Sequence, residues 1–251
     1  MRARHTVRRF DNLDALSRAA ADELSDLARA AVAARGTCRL ALSGGSTPKH
    51  LFELLVQAGR PALPWDQIEL WWVDERAVPP DHADSNYGMA RRTLIDPLGL
   101  AGSRIHRMAG ELDPEAAAQA YAHALVGALG TPPVFDLVLL GMGPDGHTAS
   151  LFPGSAGLAE TERWVIANQV TSPLVHGTAT RITLTAPAIN AARHVRFLVA
   201  GADKAGALAE VLEGADNPER FPSQLIAPAD LVWLVDALAA ASLKERHDPR
   251  R

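Results

Sequence analysis

The chain has 251 residues, of which 47% are hydrophobic and 22% charged, and a formal net charge of −4. These values are typical of a globular protein with one sizeable domain or two small ones, and the acidic balance argues against nucleic acid and membrane surfaces as partners. No apolar stretch follows the basic start MRARHTVRRF and no apolar run reaches about 18 residues, so neither a signal peptide nor a transmembrane span is expected. The single cysteine, Cys38, cannot form an internal disulfide. A reducing, cytoplasmic setting is therefore expected.

Apolar runs typical of buried strands alternate along the chain with stretches that repeat apolar residues at helical spacing. The predicted strands are 5–10, 38–43, 68–74, 105–108, 135–140, 164–168, 181–184, 195–200 and 231–235. The predicted helices are 11–35, a helix around 51–55, 85–95, 113–129, 186–192 and 203–213. This alternation predicts an α/β fold in a single domain over residues 1–251, with a doubly wound, mostly parallel, Rossmann-like sheet and helices on both faces. The polar tail from about 244 is expected to fray.

The segment Phe135–Gly154 (FDLVLLGMGPDGHTASLFPG) is the main candidate for chemistry. Its apolar start predicts a buried strand that ends in a glycine-rich turn with Asp145 and His147, and a short helical segment is expected next. In α/β proteins ligands bind at the carboxyl ends of parallel strands, and helix N-termini there offer free N–H groups. A lone histidine is more often structural than catalytic. A near-neutral imidazole held beside a carboxylate at this edge is nevertheless a candidate general base.

The glycines of this turn match the GxGxxG spacing of dinucleotide-binding loops, which is a weak signal by itself. Pro144 and His147 are bulky where that loop needs small residues, and Pro153 breaks the following segment early. No nicotinamide or flavin cofactor is therefore expected. The other histidines show no metal-ligand spacing, so no metal is expected either.

Ser43, Gly44, Gly45, Ser46 and Thr47 follow a predicted strand and open a helix. The glycines allow the backbone to approach an anion closely, while the hydroxyls and the helix N–H groups are donors for a phosphate. The GxxxxGK[ST] spacing of a Walker A loop is absent. An ordinary turn with Ser46 or Thr47 as the helix N-cap is the alternative, and it is compatible with anion binding.

Four charged residues become candidates because they are expected near the loops described above. Asp74 and Arg76 close a predicted strand, Arg181 opens another, and Lys204 lies at the start of a predicted helix. Each one alone is typical of a solvated surface charge. A phosphosugar needs more than one cation, and arginine can bind phosphate through two parallel hydrogen bonds.

Taken together, these segments resemble the 6-phosphogluconolactonase family over nearly the whole chain. The matching stretches are LALSGGSTPKHLFELL (40–55), WWVDERAVPPDHADSNYGMA (71–90), FDLVLLGMGPDGHTASLFPG (135–154), RITLT (181–185) and FLVAGADKAGAL (197–208). Several ordered motifs at compatible spacing are a specific signal. The family fold is similar to that of glucosamine-6-phosphate deaminases and ribose-5-phosphate isomerases, which agrees with the sheet predicted above.

The resemblance implies hydrolysis of 6-phospho-D-glucono-1,5-lactone to 6-phosphogluconate, the second step of the oxidative pentose phosphate pathway, without a cofactor. It implies that His147 is the base that activates water and that Asp145 orients the loop or the imidazole. Arg76 would stabilise negative charge on the substrate or the oxyanion, and Asp74 would bind sugar hydroxyls. The expected partner is a small phosphorylated sugar lactone, and the protein is expected to be a monomer or a small homo-oligomer. The residues implied in phosphate binding are Ser43, Gly44, Gly45, Ser46, Thr47, Arg181 and Lys204.

Two alternatives stay open. Amino-sugar-phosphate deaminases resemble the chain in the DE and DGH segments, but they carry a glutamate five positions after the histidine, where this chain has Phe152, and usually an aromatic residue at the position of Arg76. A non-catalytic sugar-phosphate-binding module of a transcription regulator should carry a DNA-binding helix-turn-helix and would be expected to lose His147. Both comparisons favour the lactonase.

Overall fold

The structure is a computed structural model, which describes residues 5–244. Its strands form one seven-stranded and one three-stranded sheet. The strands are β1 (Thr6–Phe10), β2 (Cys38–Leu42), β3 (Ile68–Trp72), β4 (Asp74–Arg76), β5 (Ile105–His106), β6 (Leu137–Leu140), β7 (Val165–Ser172), β8 (Gly177–Leu184), β9 (His194–Val199) and β10 (Leu231–Asp236). The α-helices are α1 (Leu13–Arg35), α2 (Ser46–Ala58), α3 (Asn86–Ala90), α4 (Asp96–Leu98), α5 (Pro114–Leu129), α6 (Ala186–Asn190) and α7 (Ala205–Glu213), with a π-helical turn at Arg91–Ile95.

The large sheet is parallel throughout and has the strand order β1-β10-β9-β6-β2-β3-β5. Neighbouring residues of a strand point to opposite faces, so a sheet covered on both sides needs apolar residues at every position. Trp71 and Trp72 show this, because both are fully buried but belong to different hydrophobic clusters. Helices α1 and α2 contribute to one cluster, and helices α5, α6 and α7 contribute to the other. The predicted doubly wound α/β fold is confirmed.

The small sheet is a difference from the prediction, which put all strands in one sheet. Its strands are antiparallel in the order β4-β8-β7. Val73 joins the two sheets, since its N–H donates to Leu42 O at 2.9 Å and its carbonyl accepts from Leu184 N at 2.8 Å. The chain therefore leaves the parallel sheet at the end of β3, and residues 74–76 pair with β8 instead of prolonging β3.

The strand order reverses between β2 and β6, because the chain builds outward from β2 through β3 to β5 on one side and from β6 through β9 to β10 on the other. At such a switch point the connections leave in opposite directions and a crevice opens at the carboxyl ends of the strands. The hydroxyl of Ser43, directly after β2, connects the two strands at this point by donating a hydrogen bond to Leu139 O in β6 at 2.7 Å. The candidate residues that follow β2, β3, β6 and β9 are therefore brought to one edge.

The short helix expected after His147 is absent, and that prediction was wrong. Residues 148–151 form a tight turn closed by a bridge between Thr148 and Leu151, with Ala149 in the left-handed region at φ 48°. A left-handed residue and the following Pro153 are both incompatible with a continuing α-helix. The turn after His147 therefore offers no helix N-terminus.

Residues 5–244 contain no helix that combines the length and the apolar character needed to span a bilayer. The single domain over residues 1–251 stays a prediction. The predicted polar tail beyond Lys244 lies outside the described residues.

Candidate active site

A cleft of about 200 Å³ opens at the carboxyl ends of β2, β3, β6 and β9. Nine predicted site residues line it, and two do not. Asp145 lies behind His147, and Arg181 lies beside Arg76 on the neighbouring strand β8. The nine that line the cleft are Ser43, Gly44, Gly45, Ser46, Thr47, Asp74, Arg76, His147 and Lys204.

The loop after β2 gives the cleft a helix N-terminus. Helix α2 begins at Ser46, and its N-cap is Gly45, so the expectation of Ser46 or Thr47 as the cap was wrong. Gly45 has φ 102°, a conformation that strains any residue with a Cβ, and no side chain caps the helix. An N-terminus without a side-chain cap keeps its N–H groups and the positive end of its dipole for an external anion. The loop therefore has the form expected of a phosphate site.

Lys204 adds a cation to the same cleft. It ends a 3₁₀ turn, Ala202–Lys204, directly before α7, and its side chain is 21% exposed. Its ammonium group is paired with the more exposed Asp203 at 2.7 Å. An exposed ion pair is weak, so a phosphate dianion can compete for this lysine.

Asp145 and His147 form a tight hydrogen-bonded pair. Nδ1 of His147 lies 2.5 Å from Oδ1 of Asp145, which also accepts from the His147 backbone N–H at 3.1 Å. Burial tends to raise the pKa of Asp145, but the hydrogen bond and the charge of His147 outweigh it and hold the pKa below its ordinary value. In the tautomer whose Nδ1–H donates to the ionised Asp145, the lone pair of the imidazole lies on Nε2. This is the form that a general base requires.

The turn around His147 fixes the imidazole by close contacts. A Cβ on Gly143 would lie 2.1 Å from Nδ1, so only glycine leaves room for the ring. The ring of Phe152 is stacked on the imidazole, with centroids 3.9 Å apart and planes 14° from parallel. From the other side of the turn, the backbone N–H and the hydroxyl of Ser223 both donate to Gly146 O, at 3.0 and 2.8 Å.

Asp74 is a buried residue that lines the cleft, and both of its carboxylate oxygens accept hydrogen bonds. The Ser150 hydroxyl donates to Oδ2 at 2.7 Å, and the Asn86 amide donates to Oδ1 at 3.1 Å and to the Asp74 carbonyl at 2.9 Å. Gly44 packs against Asn86, because a Cβ there would lie 1.8 Å from its Oδ1. Asp74 is thus a carboxylate whose direction is set from two sides, and its remaining lone pairs suit hydroxyl donors.

Glu75 fixes the loop that leads from Arg76 to Asn86. It is 2% exposed, and its carboxylate accepts from the backbone N–H groups of Arg76, Asn86 and Tyr87 and from the hydroxyl of Ser85. Burial raises the pKa of this carboxyl group, and the four hydrogen bonds oppose that rise. Both ends of the loop are therefore tied to one side chain.

Arg76 and Arg181 face each other across β4 and β8. The Arg76 guanidinium donates to the carbonyl of Asp84. Burial, and then the charge of Arg76, lower the pKa of Arg181, whose buried Nε finds no hydrogen-bond partner within residues 5–244. The two neighbouring guanidinium groups repel each other, and the carboxyl groups of Asp74, Asp84 and Glu75 oppose the fall in the pKa of Arg181.

Comparison with known proteins places the chain in a family. Residues 11–234 match the model of the family described as glucosamine-6-phosphate isomerases/6-phosphogluconolactonase. The chain belongs to this family. It is 43% identical over 221 residues to a 6-phosphogluconolactonase of Synechocystis sp., covering 85% of this chain and 88% of that protein. It is 39% identical over 242 residues to a 6-phosphogluconolactonase of Mycobacterium tuberculosis, covering 93% and 96%.

Solved structures agree with this membership. A 6-phosphogluconolactonase from Trypanosoma cruzi superposes with a TM-score of 0.84 at 28% identity, covering 98% of this chain and 99% of that one. A monomeric glucosamine-6-phosphate deaminase superposes with a TM-score of 0.81 at 23% identity, which shows a common fold only. The predicted resemblance to the 6-phosphogluconolactonases is confirmed.

Four residues that contact the predicted site residues were not themselves predicted as part of the site. They lie inside the family-like stretches 71–90 and 135–154, but a sequence does not show that its polar residues there are buried or which side chain an aromatic ring contacts. Only the folded chain shows that their partners are Asp74, Arg76 and His147. The four residues are Glu75, Asn86, Ser150 and Phe152.

Proposed function

We propose that this protein hydrolyses 6-phospho-D-glucono-1,5-lactone to 6-phosphogluconate, the second step of the oxidative pentose phosphate pathway. The observation that carries the proposal is the Asp145–His147 pair at the wall of a cleft that also contains an uncapped helix N-terminus. The relatives of known name at 39 to 43% identity, over most of both chains, are 6-phosphogluconolactonases. Base, anion site and family membership all favour a phosphorylated lactone as the substrate.

In the proposed mechanism, Nε2 of His147 takes a proton from water while the water oxygen attacks the lactone carbonyl carbon. Asp145 stabilises the imidazolium that forms, because its carboxylate lies 2.5 Å from Nδ1. Negative charge develops on the carbonyl oxygen, and Arg76 at the cleft wall is the cation assigned to it. The ester bond to the ring oxygen then breaks, and the ring oxygen takes the proton back from His147. The carboxylic acid formed in this step ionises and releases one proton to the solvent, so the product carries a carboxylate and a hydroxyl group.

A lactone is an activated ester, so this apparatus is sufficient. General-base catalysis contributes about 10² to 10⁴-fold, and positioning of water against the carbonyl contributes further. The phosphate is assigned to the loop Ser43–Thr47 with Lys204 and Arg181, and Asp74 is assigned to sugar hydroxyls. Arg181 does not line the cleft, so its part in phosphate binding requires its side chain to turn past Arg76.

The first experiment measures proton release from freshly generated lactone, since hydrolysis turns a neutral ester into an acid. Wild type, His147→Ala and His123→Ala are compared with the spontaneous rate in buffer. His123 is exposed on α5 and does not line the cleft, so its variant controls for loss of a histidine. Fast hydrolysis by the wild type and His123→Ala, lost in a folded His147→Ala, is the expected result.

The other outcomes separate the alternatives. Acceleration that survives in His147→Ala keeps the lactonase but refutes His147 as the base. Ammonia release from glucosamine-6-phosphate without lactone hydrolysis would identify a deaminase. Silence in both assays, with sugar-phosphate binding intact, would identify a non-catalytic binding module.

The setting of the protein is part of the same proposal. Cys38 is buried and unpaired, which suits a reducing, cytoplasmic compartment. We expect a monomer or a small homo-oligomer that binds neither nucleic acid nor membranes, as light scattering and vesicle sedimentation can test.

A further inference from the structure

Phe152 is buried without belonging to a hydrophobic core. It is 5% exposed, yet it is a member of neither of the two clusters that fill the faces of the large sheet. Its aromatic contact is with the imidazole of His147, at 3.9 Å between centroids and 14° between planes. A large apolar side chain outside the cores is normally either exposed to solvent or packed on a specific partner. The partner of Phe152 is the candidate base, His147.

The hydrogen bond to Asp145 is not enough to orient the imidazole. It sets the distance between Nδ1 and the carboxylate, but small rotations about the Cα–Cβ and Cβ–Cγ bonds that keep this hydrogen bond still move Nε2. Gly143 lies against the Nδ1 and Cε1 atoms of the ring, because a Cβ there would be only 2.1 and 2.2 Å from them, whereas the Phe152 ring covers the plane of the imidazole. A flat aromatic face in contact with the imidazole plane restrains the motion directly.

The turn is built to deliver Phe152 to this place. The bridge between Thr148 and Leu151 closes the chain immediately before Phe152, and the left-handed Ala149 reverses its direction. The ring five residues after His147 therefore folds back onto it, which a helix would not do at that spacing, since residues i and i+5 lie on different faces.

We propose that Phe152 is a positioning residue that holds the plane of the His147 imidazole, so that Nε2 faces the water attacking the lactone carbonyl. The inference rests on the proposed function, in which His147 is the base. A flat ring at this position sets the orientation of the base and leaves binding of the sugar phosphate to other residues. Loss of the ring is therefore expected to lower kcat while KM stays near its wild-type value.

The test compares Phe152→Leu, which removes the ring, with Phe152→Tyr, which keeps it. Phe197→Leu is the matched control, because Phe197 is also buried and also stacked, but its partner is Trp233, at 3.7 Å between centroids, and it belongs to a hydrophobic core. A misplacement near 1 Å costs about 10²-fold in rate, so Phe152→Leu is expected to lower kcat about 10 to 100-fold with KM changed less than about twofold. Phe152→Tyr should restore most of kcat, and Phe197→Leu should lower the midpoint of thermal unfolding with kcat largely kept.

Two further measurements separate positioning from folding. A stacked aromatic ring shields the carbon-bound protons of the imidazole, so the His147 proton resonances should move downfield in Phe152→Leu and not in Phe197→Leu. In a His147→Ala background, Phe152→Leu should cause no further loss of the residual rate, because a residue that acts through His147 has nothing left to position.

The inference is overturned by wild-type kcat in Phe152→Leu, by equal loss in Phe152→Leu and Phe197→Leu, or by an undiminished effect of Phe152→Leu in the His147→Ala background. Failure of the proposed base looks different. In that case His147→Ala alone retains the wild-type rate, whatever Phe152→Leu does.

Discussion

Replacement of Gly143 by alanine is the sharpest perturbation that the site offers. A Cβ at this position would lie 2.1 Å from His147 Nδ1, 2.2 Å from its Cε1 and 2.7 Å from Asp145 Oδ1. Gly143 is not among the glycines with positive φ, so its backbone accepts an alanine and only the side-chain overlap opposes the change. The methyl group therefore acts directly on His147, the candidate base, and on Asp145.

The size of the effect follows from these distances. Unstrained contacts of carbon with a heavy atom lie near 3.5 Å, so the imidazole must retreat by more than about 1 Å. This shift disrupts the 2.5 Å hydrogen bond to Asp145 and the stacking of the ring on Phe152. A misplacement of about 1 Å can cost about 10²-fold in rate, and overpacking costs about 1–3 kcal/mol of stability. We expect kcat to fall about 100-fold, with the protein still folded.

The assay is the initial rate of acid release as a function of lactone concentration, with circular dichroism as the check on folding. Gly127→Ala is the control, because a Cβ at Gly127 in α5 meets nothing within 4 Å and alanine favours the helix. It should keep wild-type kcat and be slightly more stable. A folded Gly143→Ala protein with kcat within about threefold of wild type would refute the idea that the position of His147 limits the rate.

Two more predictions concern the support of the site. Ser150→Ala removes the buried donor to Asp74 Oδ2 and should lower the free energy of unfolding by about 1–3 kcal/mol, measured by chemical denaturation. Ser17→Ala is its control and should be nearly neutral, since the buried Ser17 hydroxyl has no hydrogen-bond partner within residues 5–244. Burial raises the pKa of Asp145, but the hydrogen bond and the charge of His147 outweigh it, so the pKa is lowered. The ionised carboxylate should therefore stabilise the fold above the ordinary aspartate pKa, and this stabilisation should be lost as the pH falls through the lowered pKa. The stability gap between wild type and Asp145→Asn should therefore close in acid, and a gap that widens there would contradict the pairing.

The large sheet could be predicted from the sequence because each of its central strands is buried on both faces. Such strands appear as apolar runs, as in LVLL at Leu137–Leu140, or as runs with a single charged residue, as in IELWW at Ile68–Trp72 with Glu69. Chemistry-bearing residues that directly follow these runs must gather at one edge of a parallel sheet. The cleft residues at that edge were predictable for this reason.

The small sheet could not be predicted in the same way. Its hairpin runs from Val165 to Leu184, but the part nearest the turn is polar and mostly exposed, with the sequence QVTSPLVHGTAT at 169–180. Pairing of exposed threonines leaves no apolar pattern to read. The change of sheet at Val73 is equally hidden, since its side chain is buried and only its backbone partners reveal the switch.

Absence of a helix after His147 explains why the base depends on distant parts of the chain. A helix would satisfy its own backbone groups, whereas a turn must obtain partners from elsewhere. Here Gly146 O is satisfied by Ser223, and Ser150 N–H donates to the hydroxyl of Thr183 in β8 at 3.2 Å. These partners lie 77 and 33 residues away along the chain, so the segment before β10 and the small sheet both support the turn that holds His147. A search restricted to the DGH motif finds the candidate base but not the contacts that orient it.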